Sequence, residues 1–194
     1  MYMSVVSTLL SRNSVKFVKG PAPKQADLEQ ILQAAMVAPD HGRLRPWRFK
    51  LIRDESVQAL GELAIRTAEA DGKPLTDQKA ASVRMWLKNV PLLVAVACQI
   101  DHSDEKIPES ERLLATGAGV MNILNAAHAL GYGAYWSTGL GTYSHTVPEE
   151  LGFDELDYRF MGFVALGTLP ERVPTKERPS FEEFVSEWKP GSDL

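Results

Sequence analysis

Residues 112–130 read RLLATGAGVMNILNAAHAL and predict the strongest helix of the chain. Apolar residues follow one stripe at helical spacing, and others lie elsewhere on the cylinder, so the helix is expected to be buried nearly all round. Gly117 and Gly119 each cost about 1 kcal/mol of helix propensity, which indicates that another helix approaches closely there. Because a chain of 194 residues has few elements to cover such a helix, a second subunit is a candidate for part of the covering surface.

Helices and strands are interspersed on both sides of this segment. The apolar periodicity and the breaks at Pro and Gly predict helices over residues 3–11, 27–36, 55–70, 76–88 and 148–153, and strands over 48–53, 92–98, part of 131–139 and 161–166. The strands are few and irregularly spaced, which favours an α+β fold over a doubly wound α/β sheet. The length suits one domain, residues 1–194.

The composition excludes several classes of protein. A net charge of −4 argues against a nucleic-acid-binding protein, which needs a basic surface. A single cysteine, Cys98, provides no internal disulfide and no cysteine-rich zinc site. The longest apolar run, residues 90–98, is far shorter than the roughly 20 residues that span a bilayer, and the N-terminus has no signal-peptide pattern. We therefore expect a cytoplasmic protein that binds neither membrane nor nucleic acid.

The common catalytic motifs are absent. No G-x-S-x-G elbow, no phosphate-binding P-loop, no H-E-x-x-H pair and no G-x-G-x-x-G element between a strand and a helix occurs. The four histidines are scattered, so no metal site is expected. Polar residues instead cluster at element boundaries. They are Arg12, Asn13 and Ser14; His41, Arg43 and Arg45; Ser137 and Thr138; and Lys176 and Arg178. Basic residues from separate loops would suit one anionic ligand.

Four segments, taken in order, resemble the FMN-dependent nitroreductase family. They are RNS at residues 12–14 after a short helix, APDH at 38–41 followed by RPWRF at 45–49, GYGAYWST at 131–138, and GFVALGTLP at 162–170. The Asp-His variant of the second segment is similar to that of the small YdjA-like subgroup. Each motif alone is weak, but the ordered set spans most of the chain.

The resemblance implies a nitroreductase-like α+β fold, in which helices flank a central, mostly antiparallel sheet. It also implies an intertwined homodimer with FMN at the interface, and the apolar helix 112–130 would be the dimer-core helix. Within that dimer, Arg12, Asn13 and Ser14 would bind the FMN phosphate and the polar edge of the flavin. The residues that the resemblance assigns to FMN are Arg12, Asn13, Ser14, Val37, His41, Trp136, Ser137, Thr138, Lys176 and Arg178.

Some of these assignments carry a rival interpretation. Val37 and His41 would reach the flavin from the other subunit, but a close relative type has Arg at the Val37 position. Trp136 fits a core aromatic as well as a flavin contact, and Lys176 and Arg178 match a phosphate-binding K-x-R pattern that the subgroup does not always keep. Arg45 stands where many members have Gln, so the contact made by that amide is not carried over.

The resemblance further implies an NAD(P)H oxidoreductase with ping-pong kinetics. FMN would take a hydride from NADPH or NADH and pass the electrons to a small acceptor, such as a nitroaromatic or a quinone. No side-chain acid or base is required, which agrees with the absence of a catalytic cluster. Three alternatives stay open: a flavin carrier or sensor without efficient turnover, a flavin-fragmenting or dehalogenating relative of the same fold, and a dimeric interaction module. The sequence identifies neither the acceptor nor the preferred nicotinamide.

Overall fold

The centre of the fold is a four-stranded sheet in which every neighbouring pair is antiparallel. The computed structural model describes residues 4–104, 106–173 and 176–190. The strands are β1 (Trp47–Arg53), β2 (Leu92–Gln99), β3 (Tyr132–Ser137) and β4 (Tyr158–Thr168), in the order β1-β2-β4-β3. The predicted α+β class and the antiparallel sheet are therefore confirmed.

Within the described residues, six helices surround this sheet: α1 (Val5–Ser11), α2 (Gln25–Ala35), α3 (Glu55–Ala70), α4 (Asp77–Asn89), α5 (Glu109–Ala129) and α6 (Thr146–Glu150). Short 3-10 turns occupy His41–Arg43 and Phe181–Glu183. The predicted helix over 3–11 begins at Val5, and Met3 lies outside the described residues. The helix predicted over 148–153 instead runs from Thr146 to Glu150, because Gly152 has a φ of 74° and ends it in a turn.

The helices form one layer on each face of the sheet. Residues of α3 and α4 pack with Leu93, Ala95 and Ala97, whereas α2 and α5 pack with the alternate residues of β2 on the other face. All but the last residue of β2 are buried, because the strand is central in the sheet and covered on both sides. Cys98 is buried in this strand, and burial raises the pKa of its thiol, so it is a packing residue.

Helix α5 is covered on one side only. Val120, Ile123 and Ala127 are fully buried towards the sheet and α2, but Leu114 is 72% exposed and Met121 is 44% exposed. The single chain therefore leaves part of α5 exposed, and covering of this part by a second subunit stays a prediction.

The two glycines of α5 differ in the same way. A Cβ on Gly119 would lie 3.5 Å from the backbone oxygen of Ala35, so α2 does approach closely there. A Cβ on Gly117 would meet nothing within 4 Å. The predicted close approach is thus confirmed at Gly119 and absent at Gly117 within one chain.

Candidate functional site

The end of α1 brings two guanidinium groups together. Arg12 is the C-cap of α1, and its carbonyl oxygen accepts a hydrogen bond from Nη2 of Arg178 at 3.3 Å. Nη1 of Arg12 is buried and has no hydrogen-bond partner, and no carboxylate in the described ranges forms an ion pair with either arginine. Burial lowers the pKa of Arg12, and the charge of Arg178 lowers that pKa further. This arrangement is unfavourable by itself and becomes favourable when an anion binds.

A small cavity lies beside Ser11 and Asn13, the chain neighbours of Arg12. It has a volume of about 190 Å³ and is lined by polar atoms of Ser11, Asn13 and His128 as well as apolar residues of α5 and β3. Ser11 Oγ and His128 Nε2 are hydrogen-bonded at 2.9 Å. Burial lowers the pKa of His128, and the nearby charge of Arg12 lowers it further. The neutral imidazole is therefore favoured while no anion is present.

Asn13 and Ser14 lie between Arg12 and Val15, the residue that bonds to β3. Asn13 Nδ2 donates to the Ser11 oxygen at 3.2 Å, and the Val15 amide donates to the Ala134 oxygen at 2.8 Å. Ser14 between them is exposed. The second basic residue of the K-x-R pattern, Arg178, joins this group, whereas Lys176 is exposed and has no described contact with it.

Trp136 has a structural partner. The register of β2 and β4 shifts between Val96 and Ala97, which leaves Met161 as an extra residue on β4. The Trp136 Nε1–H donates to the Met161 oxygen at 2.8 Å, and the ring packs against the core layer of α2 and α5. The indole thus satisfies a carbonyl at a β-bulge, which supports the core interpretation of this residue.

Ser137 and Thr138 lie where β3 ends. Ser137 is buried, and its Oγ accepts from the Gly139 amide at 3.2 Å. Thr138 is exposed and contributes to a cleft of about 260 Å³ against the C-terminal half of α3. Gly162 on β4 has a φ of 95°, and a Cβ there would overlap the Ser137 carbonyl oxygen. The glycine is therefore required for this close crossing of the two strands.

Val37 and His41 lie in another part of the molecule. Val37 is 74% exposed just beyond α2. His41 Nδ1 donates to Glu111 Oε2 at 2.6 Å, and both side chains are partly exposed. Glu111 belongs to the first turn of α5, whereas His128 belongs to its last turn.

Five of the predicted site residues therefore form two groups at opposite ends of α5, while Trp136, Ser137 and Thr138 lie at the end of β3. Glu111 and His128 are seventeen residues apart, which corresponds to about 26 Å along a helix that rises 1.5 Å per residue. The chain brings Arg12, Asn13 and Arg178 together at one end, and it holds Val37 and His41 at the other. Within one chain the two groups are therefore too far apart to contact one small ligand.

Sequence reasoning missed Ser11 and His128. His128 falls on the last turn of the helix predicted over 112–130, and this was the available signal. Its partner Ser11 is 117 residues away in the chain, and no spacing rule joins two positions so far apart.

Two kinds of feature are absent from residues 4–104, 106–173 and 176–190. No group of three or more His, Cys, Asp or Glu side chains there could hold a metal ion. No helix in these ranges combines the length and the apolar character that a membrane span needs.

Comparisons with known proteins agree on one family. The model of the Nitroreductase family matches residues 9–168. The chain is 31% identical over 171 residues to a provisionally named NAD(P)H nitroreductase of Haemophilus influenzae, covering 88% of this chain and 91% of that protein. It is 33% identical over 169 residues to YdjA of Escherichia coli K12, which has the same provisional name, covering 86% of this chain and 88% of that protein.

A solved structure supports the fold. A provisionally named nitroreductase from Desulfovibrio desulfuricans, crystallised in complex with FMN, has a TM-score of 0.74 to this chain at 22% sequence identity. The match covers 98% of this chain and 100% of that one. The likeness therefore supports the fold over nearly the whole chain.

Proposed function

This chain belongs to the nitroreductase family, and we propose that it is an FMN-dependent oxidoreductase that carries electrons from NAD(P)H to a small acceptor. The observation that carries the proposal is the buried, unpartnered Nη1 of Arg12 beside the guanidinium of Arg178. Two like charges held together without a carboxylate fit a phosphate, whose oxygens accept several charge-assisted hydrogen bonds. FMN carries such a group.

The residues around Arg12 suit the two halves of FMN. Arg12 and Arg178 would neutralise the phosphate, and a bound phosphate would raise the pKa of Arg12 towards its ordinary value. Asn13, Ser14, Ser137 and Thr138 supply polar groups for the ribityl chain and the flavin edge. Lys176 would join the phosphate contact after a shift of residues 176–178. Trp136 would act indirectly, because its hydrogen bond to the Met161 oxygen holds the end of β3.

A second copy of the chain would complete the site. In this homodimer the N-terminal end of one α5 would lie beside the C-terminal end of the other, so that Val37 and His41 of one copy face Arg12 of its partner. The exposed apolar side chains support this arrangement. They are Val5, Val6, Leu9 and Leu10 on α1; Leu114 and Met121 on α5; and Phe181, Phe184, Val185 and Trp188 near the C-terminus. So many exposed apolar residues are unusual for a monomer.

Bound FMN supplies the redox chemistry, which transfers two electrons as a hydride from NADPH or NADH and later to an acceptor such as a nitroaromatic or a quinone. The chain contributes binding and electrostatics. Its cations offset the phosphate charge, its apolar cover excludes water from the flavin, and solvent supplies the accompanying proton. We assign the protein to the cytoplasm, where NAD(P)H is available and Cys98 stays reduced.

The proposal is tested with the purified full chain. The apo protein is titrated with FMN, and the visible absorbance of the holo protein is followed during anaerobic addition of NADPH or NADH. Binding of one FMN per chain, followed by bleaching of the flavin bands, is the expected result. Bands that persist would indicate a flavin carrier or sensor, and a chain that does not bind FMN would contradict the proposal.

A further inference from the structure

The loop of residues 40–45, between α2 and β1, presents a concentrated positive charge. His41, Arg43 and Arg45 are all exposed in this loop. Arg43 and Arg45 take part in no side-chain hydrogen bond or ion pair within the described ranges. They are thus two guanidinium groups open to a ligand, in a chain whose net charge is −4.

The nearby carboxylates are already engaged. Asp40 Oδ2 accepts the backbone N–H of Arg45 at 2.7 Å, and Glu111 Oε2 accepts from His41 Nδ1 at 2.6 Å. Each carboxylate organises the loop through a specific hydrogen bond. Neither carboxylate pairs with the guanidinium of Arg43 or of Arg45.

The backbone of the loop is fixed in an uncommon conformation. Arg43 has a φ of 57° and Arg45 a φ of 50°, values that residues with a side chain rarely adopt. The contact from Asp40 and a hydrogen bond from Arg48 Nη1 to the Arg45 oxygen at 2.7 Å hold this geometry. At Gly42 a Cβ would lie 2.5 Å from Ile107 Cδ1, so the base of the loop is closely packed.

These observations show that the conformation of the loop does not depend on the side chains of Arg43 and Arg45. The contacts that fix the loop use its backbone, Asp40 and Arg48, while the guanidiniums of Arg43 and Arg45 contribute nothing to it. Strained and over-determined backbone is typical of ligand-binding positions.

We propose that Arg43 and Arg45 recognise an oxyanion, a carboxylate or a phosphate, on the small molecule that exchanges electrons at the flavin site. This inference rests on the proposed function, in which His41 of one copy faces the flavin bound by the other. Arg43 and Arg45, two and four residues beyond His41, then lie at the rim of that site. Guanidinium groups bind such oxyanions through paired hydrogen bonds.

The first test compares matched ligands on the FMN-loaded wild-type protein. Benzoate and benzamide, which have similar shape and differ in charge, are titrated by calorimetry. The ratio of kcat/KM for 4-nitrobenzoate over 4-nitrobenzamide is measured as the acceptor arm. The ratio for NADPH over NADH with a neutral quinone is measured as the reductant arm. Preference for the anion in the acceptor arm identifies a carboxylate substrate, and preference in the reductant arm identifies the NADPH phosphate.

The second test removes the charges. The double variant Arg43→Gln with Arg45→Gln removes both charges and leaves Asp40 and Arg48, which hold the loop backbone, unchanged. The preference for the anionic over the neutral ligand should fall about tenfold. Arg43→Lys with Arg45→Lys should retain most of it. Arg66→Gln is the matched control, because Arg66 is exposed on α3, on the opposite face of the sheet. Raising the ionic strength should weaken the wild-type preference.

The outcomes separate this inference from the proposed function. FMN affinity is measured for every variant and should stay within about threefold of wild type, because exposed charges contribute little at a distance. A wild-type protein that binds FMN but shows no preference for the anion in either arm, or a preference that survives the double Gln variant, overturns the inference alone. A chain that binds no FMN overturns both proposals.

Discussion

The two ends of α5 lack different kinds of binding partner. At the C-terminal end, a buried guanidinium nitrogen of Arg12 has no partner, and Arg178 adds a second positive charge beside it. At the N-terminal end, His41 and Glu111 satisfy each other, while the neighbouring apolar surface of Leu114 and Val37 is exposed. One end is therefore incomplete without an anion and the other without a protein surface. The proposed dimer around FMN would supply both.

The largest effect is expected from Leu114→Glu. This side chain is 72% exposed in the single chain, so the substitution leaves the core of the chain intact. In the dimer it would bury an unpaired carboxylate in each copy, which costs several kcal/mol. We expect a folded monomer whose FMN affinity is reduced by about a thousandfold.

Sedimentation measures the oligomeric state of this variant, circular dichroism its fold, and fluorescence titration its FMN affinity. Leu156→Glu is the control, since Leu156 is equally exposed just before β4. A dimeric Leu114→Glu variant with normal FMN affinity would show that the exposed side of α5 is not the interface.

Arg12→Gln tests the other end of the helix. It removes a charge-assisted contact to the phosphate, for which about 2–3 kcal/mol and a loss of roughly a hundredfold in FMN affinity are expected. The stability of the apo protein should rise or stay unchanged, because the substitution also relieves the repulsion from Arg178. Fluorescence titration and thermal unfolding check the two expectations. Unchanged FMN affinity would show that the FMN phosphate does not bind at Arg12.

His41→Ala should have a smaller effect. His41 is exposed and already bonded to Glu111 in the single chain, so its contact with the flavin competes with an existing partner. We expect FMN affinity to fall about threefold to tenfold, with no change in the unfolding temperature of the apo protein. A hundredfold loss would mean that His41 contributes as much to FMN binding as Arg12 does.

The smallest effect concerns pH. Because the pKa of His128 is lowered by burial and by the charge of Arg12, the unfolded chain binds this proton at a higher pH than the folded chain does. The free energy of unfolding of the apo protein should therefore decrease as the pH falls below the ordinary histidine value near 6.5. His128→Gln should remove this component. Thermal unfolding of both proteins between pH 5 and 8 gives the comparison, and parallel curves would contradict it.

The layers of the fold could be predicted from the sequence because they depend on local patterns. The apolar run of residues 92–98 gave the central strand, and the helical periodicity of residues 55–70 gave α3 with its observed ends. The ordered motifs added the antiparallel sheet. The central strand and α3 required only the period of apolar residues and the breaks between them, whereas the antiparallel sheet was implied by the family resemblance.

The site was harder to predict because it depends on contacts between residues that are distant in the chain. Ser11 and His128 meet across 117 residues, and Arg178 reaches Arg12 from the other end of the chain. Gly117 and Gly119 look alike in the sequence, but only Gly119 lies against another helix of the same chain. The difference depends on which surface covers each side of α5.

Sedimentation of the FMN-loaded wild-type protein, recorded at both protein and flavin wavelengths over a dilution series, tests most directly whether two chains form each FMN site. The account predicts that flavin sediments with a species of twice the chain mass, at one FMN per chain, and is released as the dimer dissociates. Flavin that stays bound at full stoichiometry to a species of single chain mass would contradict it.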